Sequence, residues 1–222
     1  MEKVTKSTKR TPKLWYDDAC GAAHALELLG ERWALLVVRE LMFGPRRFSE
    51  LREGLPGISA NVLTQRLEGL EAAAVVVRRQ LPPPANVQVY ELTPWGRETE
   101  PIFQAMGRWA ARSPAHDPTL PLSAASILLS FRTMFDGKRA KGVDATVGLR
   151  IGKDTYVARV KDGEITIRRD ALHDVDVTLA GEPEVIASVV YGGRPSSALT
   201  IEGDRPLAKT FLSLFRLPPK VT

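Results

Sequence analysis

Gly57-Ile58-Ser59-Ala60-Asn61-Val62-Leu63-Thr64-Gln65-Arg66 is the stretch on which the reading of this 222-residue chain turns. Leu55-Pro56-Gly57 makes a turn, and the Ser59 hydroxyl can accept from a free amide at the start of a helix that runs to about Ala74. At about 100° per residue, Leu63, Leu67 and Leu70 form one stripe of that helix while Asn61, Thr64, Gln65 and Glu68 lie opposite. Upstream, Phe43-Gly44-Pro45 breaks the chain, and a short helix around Phe48 to Arg52 points Phe48 and Leu51 inward. A short helix, a tight turn and a helix with amides and hydroxyls on its free face is the arrangement that reads base edges in a major groove. Periodicity alone allows an ordinary amphipathic surface helix equally well.

The flanking segments favour the first reading. Val75-Val76-Val77-Arg78-Arg79-Gln80 and Val87-Gln88-Val89-Tyr90-Glu91-Leu92 are rich in β-branched residues and partly alternate, and Leu81-Pro82-Pro83-Pro84-Ala85-Asn86 separates them. A hairpin directly after the reading helix is a wing, and Arg78 and Arg79 on it suit phosphate contact. Before the turn, Asp18 can cap a helix ending at Leu29 and Gly30, and Glu31 to Leu41 forms a second helix with Trp33, Leu36, Val37 and Leu41 on one face. After the hairpin, Thr93-Pro94 opens a helix bearing Ile102, Phe103, Met106, Trp109 and Ala110 on one side, with Pro101 kinking or breaking it. So wide an apolar stripe at a domain's end calls for a partner, and a second copy of the chain is the economical one.

Three prolines in Ser113-Pro114-Ala115-His116-Asp117-Pro118-Thr119-Leu120-Pro121 mark a border. The expected organisation is a basic tail over 1–15, a winged helix-turn-helix over 16–113, a linker over 114–121 and a second domain over 122–218. Overall the chain is read as α+β.

The net charge is +5 but unevenly placed: residues 1–13 hold five basic residues against one acidic, whereas 14–115 hold 11 against 12. DNA attraction in the first domain therefore rests on local pairs, Arg46-Arg47 and Arg78-Arg79, together with Arg66. The tail reads either as a solubilising extension or as a DNA-contacting arm. The single cysteine, Cys20, excludes an internal disulfide framework, and the three histidines have no metal-ligand spacing. No cofactor motif occurs. Gly57-Ile58-Ser59-Ala60-Asn61 misses the nucleophile-elbow pattern by its last glycine and lies between helices, so no enzyme is expected. With no apolar run long enough to span a bilayer and no secretion signal, the expected setting is the cytoplasm, without a membrane partner.

These ordered residues resemble the HxlR family of winged helix-turn-helix regulators. The likeness rests on Cys20, Ala25 to Trp33, Arg39-Glu40-Leu41, Gly44 to Leu51, Leu55 to Ser59, Leu63 to Leu67, Leu70-Glu71 and Tyr90 to Gly96. It implies a homodimer whose N-terminal and post-wing helices form the interface, and two reading helices on a pseudo-palindromic double-stranded DNA operator. Gly21, where the family often has proline, and a three-proline wing depart from the pattern. Some members sense oxidants or electrophiles at the position of Cys20; the alternative is a small apolar residue at the dimer interface.

The second half resembles a sterol carrier protein-type domain. Ser123 caps a helix bearing Ile127, Leu128, Phe131 and Phe135, and Val143, Ala145, Val147, Leu149 and Ile151 alternate. Gly203-Asp204 followed by Phe211, Leu214 and Phe215 is the most characteristic part. The likeness implies a curved, antiparallel-rich sheet and an apolar tunnel, here lined by Phe131, Phe135, Tyr156, Phe211 and Phe215, for a small apolar ligand; a filled space is the other reading. The expected function is a DNA-binding transcription regulator tuned by such a ligand. The alternative is a soluble carrier of apolar molecules whose first domain only dimerises.

Overall fold

The computed structural model describes residues 16–222. The basic tail expected over 1–15 lies outside the described residues. The first half contains α1 (Gly21–Leu29), α2 (Ala34–Leu41), α3 (Phe48–Gly54), α4 (Ala60–Ala72), β1 (Val76–Gln80), β2 (Gln88–Leu92), α5 (Pro94–Arg97) and α6 (Glu100–Ala110). The second contains α7 (Ala124–Met134), β3 (Ala145–Ile151), β4 (Asp154–Lys161), β5 (Glu164–Arg169), β6 (Val177–Gly181), α8 (Pro183–Val190), β7 (Thr200–Gly203) and α9 (Arg205–Leu212).

In the first half the core follows the helical stripes: Leu63, Leu67 and Leu70 of α4 pack with Val37, Val38 and Leu41 of α2 and Leu51 of α3. Two local expectations are corrected. Cys20, not Asp18, is the N-cap of α1, and Asp18 Oδ1 instead accepts from the Cys20 amide at 2.8 Å. The second helix starts at Ala34, because Trp33 sits in the left-handed region at φ 79° and Glu31 to Trp33 form a turn. Val38 joins Val37 in the core, and Leu36 is 37% exposed.

The break expected at Pro101 is present. Thr93 Oγ1 accepts from the Gly96 amide, α5 ends at Arg97, and α6 begins with Pro101 in its first turn, where a missing N–H costs nothing. No α6 residue is buried.

The second half is a five-stranded sheet in the order β5-β4-β3-β6-β7. All neighbours are antiparallel except β3 and β6, which are parallel. Register lines up apolar rows on one face: Ile167, Ala158, Val147 and Val177 form one, and Tyr156, Leu149, Leu179 and Ile201 the next. Phe131 of α7 and Phe211 of α9 belong to the same buried cluster as these rows. Ser123 caps α7 and Asp204 caps α9, each accepting a first-turn amide.

Of the residues expected to line an apolar tunnel, Phe131, Tyr156, Phe211 and Phe215 are buried in the interior cluster. Phe131 and Phe215 stack with ring centroids 4.2 Å apart, and Phe211 meets both edge-on at 6.1 and 5.1 Å. These three rings and Tyr156 are 0–2% exposed. The aromatic side chains fill the space with one another, the arrangement their quadrupoles favour. Phe135 lies at the edge of the cluster, 6.1 Å from Phe215, and lines a separate shallow surface pocket.

Candidate nucleic-acid interface

The reading helix is set by its cap and its stripe. The Ser59 hydroxyl accepts from the Val62 amide at 3.2 Å, with Gly57 at φ 90° turning the chain into it. With Leu63, Leu67 and Leu70 buried, Asn61, Thr64, Gln65 and Glu68 are left on the exposed face. Val76 anchors the first strand of the hairpin, whose next four residues, including Arg78 and Arg79, are exposed. Arg78 lies 3.7 Å from Glu71, while Arg79 and Arg97 share Glu91 at 3.2 and 2.6 Å. The wing's positive charge is therefore partly matched within the domain.

Arg47 is exposed and is the N-cap of α3, its amide donating to Glu50 Oε2 at 2.8 Å. Its neighbour behaves differently. Arg46, expected at a phosphate, is only 7% exposed and faces the second half. Nη1 donates to Asp154 Oδ2 at 2.6 Å and Nη2 to the Tyr156 hydroxyl at 2.8 Å. Arg169 Nη2 donates to the other Asp154 oxygen at 2.6 Å. Burial by itself would raise the Asp154 carboxyl, but the hydrogen bond and charge of Arg46, with Arg169, hold it below the ordinary carboxylate range. Burial pushes the Tyr156 hydroxyl up to about 12, against the pull of Arg46. Backbone bonds exchanged between Arg46 and Tyr90 tie this site to the second wing strand.

Arg66 is also engaged within the domain. Its Nε donates to the Arg32 carbonyl at 3.1 Å and its Nη2 lies 3.0 Å from Glu31, so it braces the α1–α2 turn against the reading helix.

Asp154, Arg169 and Arg132, which the sequence did not single out, carry the contact between the halves together with Glu40, quoted above only within Arg39-Glu40-Leu41. Ser123 Oγ donates to Glu40 Oε1 at 2.7 Å, and the Arg132 guanidinium lies over the Phe43 ring at 4.6 Å. Cys20 is exposed, and the amides of Ala23 and Ala22 at the start of α1 lower its thiol from the ordinary value.

A helix-turn-helix with a polar free face and a hairpin beside it is the fold of DNA-binding transcription regulators. Residues 28–117 match the HxlR-like helix-turn-helix family, and the chain belongs to it. The HTH-type transcriptional regulator YodB of Bacillus subtilis (strain 168) is 42% identical over 86 residues, which are 39% of this chain and 77% of that protein. YtfH of Escherichia coli (strain K12), also an HTH-type transcriptional regulator, is 30% identical over 110 residues, 49% of this chain and 86% of its own. Among solved structures, the reduced form of YodB from B. subtilis aligns with TM-score 0.40 and 37% identity, covering 45% of this chain and 100% of that one. Its quinone-bound form aligns with TM-score 0.36 and 38% identity, over 40% and 93%. Among the described residues, no helix is long and apolar enough to cross a membrane.

Proposed function

We propose that two copies of this chain bind a pseudo-palindromic operator, each placing α4 in a major groove with Asn61, Thr64 and Gln65 toward base edges. Arg47 and the wing arginines then meet phosphates. The observation that carries this reading is the sorting of α4: its apolar stripe is buried and its amides and hydroxyls are left free. The exposed apolar side chains of α6, Ile102, Met106 and Trp109, with Leu26 on α1, supply the dimer face. Trp109 is 78% exposed in the single chain, a cost that a second copy removes.

The second half, over 122–218 beyond a linker at 114–121, serves as an effector module with the sterol carrier protein-like arrangement of helices on a mixed sheet. The packing of Phe131, Phe211 and Phe215 against one another supports the regulator reading over that of a carrier. An effector acts on DNA binding only if it prefers one relative placement of the halves. Cys20 offers a second input: YodB has a solved structure described as quinone-bound, and the Cys20 thiol is exposed with its thiolate favoured.

Binding to the DNA upstream of the protein's own gene, followed by fluorescence anisotropy with sedimentation to count chains, tests the reading. Salt-sensitive, sequence-selective binding by a dimer supports it. Binding by neither the wild type nor any variant refutes it.

A further inference from the structure

Only Val76 of β1 is buried, so Arg78 and Arg79 take their positions through the neighbouring strand β2. A two-stranded hairpin is marginal by itself, and what its inner strand is fastened to decides where the outer one lies. At the base, the Thr93 hydroxyl donates to the Ala74 carbonyl at 2.7 Å, just past the end of α4. Midway along, Arg46 and Tyr90 exchange both backbone hydrogen bonds at 3.0 and 2.8 Å, an antiparallel bridge on the far side of β2. Tyr90 is the register partner of Arg78. A displacement of Arg46 is therefore passed to the rung that carries Arg78.

What holds Arg46 belongs to the second half. Its guanidinium is divided between Asp154 and Tyr156 of β4, and Arg169 of β5 takes the other Asp154 oxygen. Arg169 Nη1 also donates, at 3.5 Å, to the carbonyl of Pro45, the residue before Arg46. One residue before Asp154, Lys153 Nζ donates to Glu53 Oε2 of α3 at 2.7 Å. The β3–β4 turn thus grips α3 with one side chain and the wing with the next.

The two grips are unequal. Lys153 and Glu53 have side chains 63 and 65% exposed, and water screens such a pair until it contributes little. Arg46 and Asp154 are 8 and 11% exposed, and parting them would leave two charges unpaired away from water. The strong grip is the one on the wing.

We infer that Asp154 is a positioning residue for DNA binding: through Arg46 and its bridge to Tyr90, the second half fixes where the wing presents Arg78 and Arg79. The reading helix α4 takes its own place from its leucine stripe. Placing the wing in advance removes the need to order it on binding. Its loss falls on phosphate contacts and leaves base discrimination unchanged. The DNA part of this inference rests on the wing role proposed above; the mechanical link does not.

Amide exchange of the full-length protein without DNA, compared between wild type and Asp154→Asn, reads the link alone. Amides of β1 and β2 are expected to exchange about tenfold faster in the variant, with those of α4 unchanged. Equal wing rates, or equal acceleration of wing and α4, overturn the link. Binding to the upstream DNA, at a temperature where every variant is folded, then forms a double-mutant cycle with Arg79→Ala. Arg79→Ala is expected to weaken binding about fivefold in the wild type and less than about twofold in Asp154→Asn. The ratio of specific to random DNA affinity stays the same in Asp154→Asn. A role confined to stability lowers the melting temperature and leaves the cycle additive, which overturns the positioning role. Tyr156→Phe removes one Arg46 acceptor without stranding a charge, and carries both measurements, with smaller shifts in the same directions, if Asp154→Asn does not fold. A wild type that binds no DNA refutes the regulator reading and the positioning role with it, and the exchange comparison still decides the link.

Discussion

Arg46 donates a 2.6 Å hydrogen bond to Asp154 across 108 residues of sequence, joining the helix-turn-helix to the β3–β4 turn of the second half. Its neighbour Arg47 is exposed to solvent. The two adjacent arginines should therefore fail in different ways. Arg46→Ala leaves a buried carboxylate short of its partner and is expected to lower stability by about 3 kcal/mol, read by denaturant unfolding. Arg47→Ala should leave stability within about 0.5 kcal/mol and reduce the salt slope of DNA binding by about one.

The Asp154 carboxyl is held below its ordinary range, so its contribution is fully present above an unfolded value of about 3.9 and is lost as pH falls through the lower folded value. Asp154→Asn should therefore melt well below the wild type at pH 7. The gap should narrow as pH drops below about 4, and a gap that widens there contradicts the account.

Thr64 and Gln65 are exposed on α4 and bear no packing load. Thr64→Ala and Gln65→Ala are each expected to cost about 1–3 kcal/mol of operator affinity with melting temperature unchanged. Equal losses on specific and random DNA would move these residues from base edges to the backbone.

Phe131 is fully buried, stacked on Phe215 and edge-on to Phe211. Phe131→Ala should destabilise by about 3–5 kcal/mol, and the hole it leaves should gain affinity for benzene-sized probes that the wild type does not bind. Wild-type binding of such probes at this cluster would support the tunnel.

The lowered Cys20 thiol predicts alkylation by iodoacetamide whose rate rises with pH to a midpoint below that of a free cysteine. Cys20→Ser should abolish labelling and preserve folding, measured by mass spectrometry and thermal melting.

Local chemistry settled much in advance. Ser59 caps α4 because its hydroxyl accepts a first-turn amide, and the leucines at 63, 67 and 70 are buried because helical geometry lines them up. The same holds for the break at Pro101 and for the inward alternation of Val147, Leu149 and Ile151. Trp33 escaped this logic, since its left-handed backbone ends the run that periodicity alone would have continued.

What the residues by themselves determined is therefore the type of most first-half elements and of α7 and β3, since caps, prolines and periodic apolar positions act within a few residues. Only the tertiary structure decided that Arg46 and Arg66 brace the protein while Arg47 stays exposed, and that Phe131, Phe211 and Phe215 pack against one another. These outcomes depend on side chains as much as 110 residues apart, and an arginine's five donors serve a phosphate or a carboxylate equally well until the packing brings one of them within reach.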